Sequence, residues 1–234
     1  MAYDAEMLVA HYLAYDFLSK LFYESPTLDF VGILAGDDLF DCWPLDSAQP
    51  EMETGLAMLR ACCASWYENQ FRTLKTDYAR LFVGPDHLLA PPWESVYRSA
   101  DHILFDHATL EVRRHYQRFG MPIPKLNVEP DDHIGLEFRF VTHLCRLGLA
   151  ALGQENPEVL TNILQELRTF IDVHLMKWAP DFLQAVIDNA ATPLYSGAAH
   201  LALGCLAYTR DQLNCPTLSP VPQSCAPAKT RRTP

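Results

Sequence analysis

Halfway along the chain lies the stretch Asn127-Val128-Glu129-Pro130-Asp131-Asp132-His133-Ile134-Gly135-Leu136-Glu137, where a polar segment leads into an apolar one. Proline suits the first position of a helix, so Pro130 predicts a helix that begins here and runs to about Gly153. The residues three, four and eight positions after Glu129 are Asp132, His133 and Glu137. On a helix this spacing places three carboxylates and an imidazole along one flank. A solvated helix start with local salt bridges would show the same pattern, so that interpretation stays open.

Apolar residues recur at intervals of three and four through most of the remaining sequence, which is the period of helices packed on a core. Asn156-Pro157 and Thr192-Pro193 add cap and first-turn signals, and Pro180 is also interpreted as a helix start. The predicted helices lie at about 4–24, 28–35, 51–71, 74–81, 106–120, 130–153, 156–174, 180–190 and 193–214. No segment alternates apolar and polar residues for long enough to predict a strand. The pattern therefore predicts an all-α fold, with about nine to ten helices in a single domain over residues 1–214.

Three irregular segments interrupt or end this pattern. Between residues 84 and 98, Pro91-Pro92 favours extended backbone and places Trp93 in a loop, where an aromatic side chain either plugs the edge of the core or lines a binding surface. Residues 121–128 contain two prolines, and we expect a hinge between two helical halves at about 120–130. Residues 215–234 are rich in proline without helical periodicity, and we expect a disordered tail there.

Composition and charge exclude several classes of protein. The net charge of −11 argues against nucleic acid and favours partners that carry positive charge. The chain lacks an uninterrupted apolar run of about 18 residues and a basic segment before the first apolar residues, so we expect a cytoplasmic protein with no integral membrane segment. The seven cysteines form no Cys-x-x-Cys pair and are interpreted as reduced residues rather than as a zinc or disulfide framework.

The sequence also carries few signals of catalysis. It has no phosphate-binding loop, no dinucleotide fingerprint and no nucleophile elbow. Glu129, His133 and Glu137 could share one helix face, as ligands do in helical metal sites, but no second Glu-x-x-His motif accompanies them. We therefore expect no catalytic residue, no metal and no cofactor. A helical metal- or nucleotide-dependent hydrolase that uses these three residues remains the alternative.

Four phrases of the sequence, taken together, resemble one known family. They are Asp77-Tyr78-Ala79-Arg80-Leu81-Phe82-Val83-Gly84-Pro85, Pro91-Pro92-Trp93-Glu94-Ser95-Val96-Tyr97, Leu104-Phe105-Asp106 to Leu110, and Glu129-Pro130-Asp131-Asp132-His133. In this order and at these separations they are similar to the TorD/DmsD family, cytoplasmic chaperones that mature molybdenum-cofactor enzymes bound for twin-arginine export. The resemblance is tight over about residues 72–150, looser over the first helix and the last three, and does not cover 215–234.

The resemblance implies an all-helical protein that is not an enzyme and needs no cofactor. Its partners would be the twin-arginine leader peptide and the apo-form of a DMSO or TMAO reductase-like molybdoenzyme, bound by a monomer that can also form a domain-swapped dimer. Carried onto this chain, the leader-binding positions are Tyr23, Tyr78, Pro92, Trp93, Ser95, Glu129, Pro130, Asp132 and His133. Trp93 resembles the DmsD-like branch. Tyr78 and Glu94 depart from it, because that branch tends to have tryptophan and glycine at these two positions.

A physical argument from the residues agrees with this expectation. A twin-arginine leader places a positive arginine pair beside an apolar stretch, so its receptor needs carboxylates near an aromatic groove. The predicted carboxylates are Glu129, Asp132 and Glu137, and the predicted aromatics are Tyr78, Trp93 and Tyr97. Glu137 and Tyr97 are thereby added to the predicted leader site.

Overall fold

In the computed structural model, the described residues are 4–36, 39–45, 49–84, 87–99, 107–123 and 129–214. The α-helices of this part are α1 Ala5–Tyr23, α2 Leu28–Gly36, α3 Pro50–Ala64, α4 Phe71–Tyr78, α5 Glu94–Arg98, α6 His107–Arg118, α7 Ile134–Gly153, α8 Pro157–Phe170, α9 Met176–Asn189 and α10 Pro193–Asn214. A 3₁₀ turn covers Glu68–Gln70, and π-helical turns cover Ala79–Val83 and Ile171–Leu175. Within these ranges there is no β-strand, so the all-α prediction is confirmed.

Helix α7 lies at the centre of the fold and packs along α1 and α8. The end of α1 is held tightly to the start of α7, where the Ser19 hydroxyl donates to the carbonyl of Gly135 at 2.7 Å. A Cβ atom at Gly135 would lie only 2.6 Å from the Cβ of Tyr23, so a larger residue would push the two helices apart. This close contact places Tyr23, the last residue of α1, beside the segment that leads into α7.

Helix α10 closes the other side of the core against α3 and α9. It also meets α1, because the Tyr15 hydroxyl lies 2.8 Å from the Thr209 hydroxyl in the interior. The start of α10 is capped by a residue that is distant in sequence. The Asp77 carboxylate accepts from the backbone N–H of Ala191 at 3.0 Å and of Thr192 at 2.8 Å. Asp77 belongs to the first of the four family phrases, and this capping gives it a structural role.

The start of α7 differs from the prediction. The helix begins at Ile134 rather than at Pro130, and the His133 imidazole caps it by accepting from the N–H of Gly135 at 3.0 Å. His133 has extended backbone, with φ −73° and ψ 134°, so the residues before it form a turn outside the helix. The expectation that Glu129, Asp132 and Glu137 line one helical flank is therefore wrong, because Glu129 and Asp132 precede the helix.

Three other helix boundaries also differ between the prediction and the structure. The helix predicted to reach residue 71 ends at Ala64, where the Ser65 hydroxyl bonds back to the carbonyl of Ala61 at 2.8 Å. Pro180 does not begin a helix but lies inside α9, which continues from α8 through the second π-helical turn. Proline has no N–H to donate to the preceding turn, so one hydrogen bond is missing there, yet the helix continues. Part of the predicted loop at 84–98 is the short helix α5.

Other boundary predictions are confirmed. The Asn156 side chain accepts from the N–H of Val159 at 3.1 Å and caps α8 as expected. Gly120, with φ 68°, stops α6. Of the predicted hinge, residues 124–128 lie outside the described ranges, as does the predicted tail at 215–234, so the domain organisation stays a prediction. Within the described ranges, no helix is both long and apolar enough to cross a membrane.

Candidate functional site

Two of the family phrases meet side by side before α7. The loop that carries Trp93 pairs with the turn that carries His133 through two backbone hydrogen bonds: Glu94 N–H to the carbonyl of Asp132 at 3.0 Å, and Ile134 N–H to the carbonyl of Pro92 at 2.8 Å. The ring of Trp93 stands edge-on to the imidazole of His133, with 5.9 Å between centroids. Sequence segments about 40 residues apart thus form one local surface.

Tyr23 completes this surface from the other side of His133. Its ring lies 5.1 Å from the imidazole, and its hydroxyl donates to a carboxylate oxygen of Glu129 at 3.1 Å. The second oxygen of Glu129 is 3.8 Å from Nε2 of His133. Burial and the nearby Glu129 raise the pKa of the Tyr23 phenol, which therefore stays protonated as a donor. We call Tyr23, Trp93, Glu129 and His133 the Trp93–Glu129 site.

The members of this site differ in exposure. Trp93 and Tyr23 are half-buried, and the Glu129 side chain is 22 % exposed, whereas the His133 side chain is only 5 % exposed. Tyr78 lies beneath the site and donates its hydroxyl to the carbonyl of Tyr23 at 3.2 Å. The surface that a partner can reach is therefore made of two aromatic rings and one carboxylate.

Asp132 is fully buried and points away from this surface. One carboxylate oxygen accepts from the N–H of Ser95 at 2.7 Å, and the other accepts from the hydroxyl of Thr109 at 2.7 Å. Burial raises the pKa of Asp132, and the bonds from Ser95 and Thr109 act in the opposite direction. Its carboxylate therefore joins the start of α5, helix α6 and the turn before α7. Pro92, Ser95 and Pro130 are buried with it.

Glu137 is also fully buried, on the inner face of α7. The indole N–H of Trp178 donates to one of its oxygens at 3.2 Å, while the other oxygen has no hydrogen-bond partner among the described residues. Burial, together with the negative charges of Glu94 and Asp132, raises the pKa of Glu137 well above the usual range. The ring of Tyr97 packs 5.5 Å from Trp178, so it belongs to the same interior cluster.

The metal site that the sequence left open receives no support. Glu129 lies in the turn before α7, whereas Glu137 is bonded to Trp178 inside the protein. Among the residues that the structure describes, no group of three His, Cys, Asp or Glu side chains is placed to hold a metal ion.

Sequence reasoning missed several buried polar contacts around the site. Arg113 of α6 forms an ion pair with the buried Asp131. The carboxylate of Glu94 is also buried, and it bonds to His174 at 3.0 Å. The only sequence signal for Glu94 was its departure from the glycine that the resemblance implied. Nothing in the local pattern identified its partner 80 residues away.

Comparisons with known proteins identify relatives of this chain. The family described as nitrate reductase delta subunit matches residues 45–184. The Tat proofreading chaperone DmsD of Salmonella typhi is 32 % identical over 203 residues, which cover 85 % of this chain and 88 % of that protein. The probable Tat proofreading chaperone DmsD of Haemophilus influenzae is 28 % identical over 149 residues, 63 % of this chain and 66 % of that protein.

A second group of relatives carries another name. The chaperone protein TorD of Vibrio cholerae serotype O1 is 30 % identical over 142 residues, 61 % of this chain and 61 % of that protein. The chain belongs to the TorD/DmsD family, as its four phrases predicted.

Proposed function

We propose that this protein is a cytoplasmic chaperone, without enzymatic activity, that binds the twin-arginine leader and the apo-form of a molybdenum-cofactor oxidoreductase. By holding both, it aids cofactor insertion and proofreads the client before export. Membership of the TorD/DmsD family and the names of the relatives support this function. The observation that carries it is the Trp93–Glu129 site, where a half-buried tryptophan and a partly exposed carboxylate flank the same histidine.

The chemistry of this site suits a cationic peptide with an apolar stretch. Glu129 offers a carboxylate to an arginine of the leader, and the Tyr23 hydroxyl orients that carboxylate. The rings of Trp93 and Tyr23 offer faces on which a guanidinium or an apolar side chain can pack. A charge-assisted hydrogen bond contributes roughly 1.5 to 3 kcal/mol and a buried aromatic anchor about 2 kcal/mol or more. Two or three such contacts, less the ordering cost, correspond to about micromolar affinity.

The predicted site residues then fall into two roles. We propose that Tyr23, Trp93 and Glu129 contact the leader, and that His133, which is almost fully buried between them, holds their relative positions. The others support them from beneath, and these are Tyr78, Pro92, Ser95, Tyr97, Pro130, Asp132 and Glu137. A carboxylate that is fully buried in internal contacts cannot reach a leader arginine without a rearrangement. Asp132 and Glu137 therefore act on binding only by holding the loop and the turn in place.

The identity of the client and the state of assembly are finer parts of the proposal. We propose a DMSO or TMAO reductase-like client, because the relatives include both DmsD and TorD chaperones. We propose a monomer in slow exchange with a domain-swapped dimer, because the proline-bearing segment 121–128 joins two helical halves. Light scattering of dilute and concentrated protein, before and after mild acid treatment, tests this. A single species under all conditions would rule the exchange out.

Titration calorimetry against a panel of leader peptides tests the main function. Leaders should bind at about micromolar Kd when they keep both arginines and the apolar stretch. They should bind more weakly when the pair is Lys-Lys, because an ammonium cannot make the bidentate contact. Tyr67→Ala serves as a control variant, since Tyr67 is an exposed aromatic outside the site. Equal affinity for all leaders, including one with a scrambled apolar stretch, would refute the proposal.

A further inference from the structure

The loop that carries Trp93 is held on its inner side by a buried carboxylate. Glu94 follows Trp93 directly and is 0 % exposed. Nδ1 of His174 lies 3.1 Å and 3.0 Å from its two oxygens, and the Arg98 guanidinium donates to one of them at 2.5 Å. Arg98 is in the same short helix, α5, but His174 lies 80 residues further along the chain. The side chain of Glu94 thus connects the loop to a distant helix.

The partner histidine occupies an unusual place in that helix. His174 lies in the π-helical turn between α8 and α9, where the ladder of hydrogen bonds widens. Such turns often mark functional positions, because they shift one side chain out of the regular register. The imidazole of His174 stacks on Phe170 at 5.0 Å and stands edge-on to His115 at 5.0 Å. It is 1 % exposed, so its direction toward Glu94 is held by packing on several sides.

A network of charged groups continues from this pair. His115 of α6 is bonded to Glu166 of α8, which also accepts from Arg118 at 3.4 Å. Across the pair, on α7, lies the buried carboxyl of Glu137. Contacts from Glu94 to His174, from His174 to His115 and from His115 to Glu166 therefore connect the Trp93 loop to α8. Glu94 is the member of this network that belongs to the loop.

Packing alone does not explain a carboxylate at this position. Burying a charge costs free energy that is recovered only when its partners have good geometry, and a buried ion pair can often be replaced by apolar residues without loss of stability. A glycine here could not contact His174 at all. The contact between Glu94 and His174 instead fixes a position. It determines where α5, and with it Trp93, lies relative to the turn before α7.

We infer that Glu94 is a positioning residue of the leader site, which holds Trp93 over His133 by tying the loop to His174. The inference rests on the proposed function. Two backbone hydrogen bonds hold the outer edge of the loop: the Glu94 N–H donates to the carbonyl of Asp132, and the Pro92 carbonyl accepts from the N–H of Ile134. The Glu94 side chain holds the inner edge. Without the inner contact, Trp93 would sample several orientations, and a leader would have to order the ring on binding.

A double-mutant cycle in the full-length protein tests this inference. Leader affinity is measured by calorimetry for Glu94→Gln, Trp93→Ala and the double variant. The amide of Glu94→Gln keeps the size of the side chain but places an N–H₂ group against the donors of Arg98 or His174. Glu94→Gln should weaken leader binding by about 2- to 30-fold, the usual range for residues that act through a neighbour. In the Trp93→Ala background the same substitution should have no further effect on affinity.

Two additional variants separate positioning from general stability. Glu166→Gln removes a carboxylate that is also buried in the same network but bonds to α6 rather than to the loop. It should lower the melting temperature while leaving leader affinity unchanged. If Glu94→Gln does not fold, His174→Gln breaks the same contact from the other side and should weaken binding similarly. The fluorescence emission of Trp93 is obtained as the difference between a protein with Trp93 and the same protein with Trp93→Phe. It should shift to the red in both Glu94→Gln and His174→Gln.

Each outcome decides between the alternatives. If Glu94→Gln lowers the melting temperature but not the affinity, Glu94 is only structural and the inference is overturned. The same follows if its effect on affinity is equal with and without Trp93, because Glu94 would then act through another residue. If Trp93→Ala itself leaves the affinity unchanged, the proposed leader site is wrong, which is a separate failure of the proposed function.

Discussion

Glu129 and Glu137 are eight residues apart and carry the same side chain, yet the fold treats them in opposite ways. Glu129 lies in the turn before α7 with 22 % of its side chain exposed, beside Tyr23 and His133. Glu137 lies inside the protein against Trp178, where burial and the nearby negative charges raise the pKa of its carboxyl well above the usual range. The comparison shows that a run of acidic residues is not one functional unit. We propose that its exposed end contacts the leader, whereas its buried end is bonded inside the protein.

The largest effect is expected at the buried end, for Asp132→Ala. The substitution leaves the N–H of Ser95 and the hydroxyl of Thr109 without their acceptor, and each unsatisfied buried donor costs roughly 1 to 3 kcal/mol. The free energy of unfolding should fall by about 3 kcal/mol, which urea denaturation measures. An unfolding midpoint equal to that of the wild-type protein would show that Asp132 has no supporting role.

The next effect concerns the aromatic part of the exposed end. Trp93→Ala should weaken leader binding by about 2 kcal/mol, because a half-buried aromatic anchor is lost. The melting temperature should change little, and calorimetry and thermal unfolding measure the two quantities separately. A collapse of the melting temperature would instead identify Trp93 as a plug of the core, the other interpretation of an aromatic loop.

A somewhat smaller effect is expected for the exposed carboxylate. Glu129→Gln should cost about 1.5 kcal/mol of leader binding, the lower end of a charge-assisted hydrogen bond. The loss should be confined to leaders that keep the arginine pair and should shrink as salt is raised. A double-mutant cycle with an Arg→Gln leader gives the coupling energy directly. Glu53→Gln, an exposed carboxylate on α3, is the control, and zero coupling for Glu129 would contradict its proposed contact.

The smallest effect on binding is expected for Glu137→Gln, which keeps the size of the buried side chain without its charge and should leave leader affinity at pH 7 unchanged. Its effect is on the pH dependence of stability. The pKa of Glu137 is raised in the folded state, so the folded protein binds more protons than the unfolded chain above the ordinary glutamate pKa. This contribution to stability is lost as pH rises from about 4.5.

Glu137→Gln should remove that loss. Relative to the variant, the wild-type protein should lose stability with rising pH by at most about 1.4 kcal/mol per pH unit, the value for one proton. Denaturation series at several pH values between 4.5 and 8 measure the difference. If the free energies of unfolding of the two proteins change with pH in parallel, the pKa of Glu137 is not raised in the folded state. Glu129 and Glu137 would then not differ in the way described above.

Local patterns in the sequence were sufficient to predict most of the helices and the family to which the chain belongs. The spacing of apolar residues predicted α1 and α10 nearly to the residue, because the sequence of an amphipathic helix shows which of its faces is buried. The start of α8 followed from Asn156, whose cap contact is made three residues away. The four phrases predicted the TorD/DmsD family, because each one is a short continuous segment that can be recognised without knowledge of the fold.

Only the tertiary structure decided where α7 begins and which carboxylates face outward. Asp132 is held by Ser95 and Thr109, 37 and 23 residues away, and Glu137 by Trp178, 41 residues away. The helical spacing from Glu129 to Glu137 assumed a continuous helix, but bonds to distant segments stabilise a turn at 129–133 instead. Local sequence cannot reveal such bonds, since the free energy of burying a carboxylate depends on partners that only the folded chain brings together.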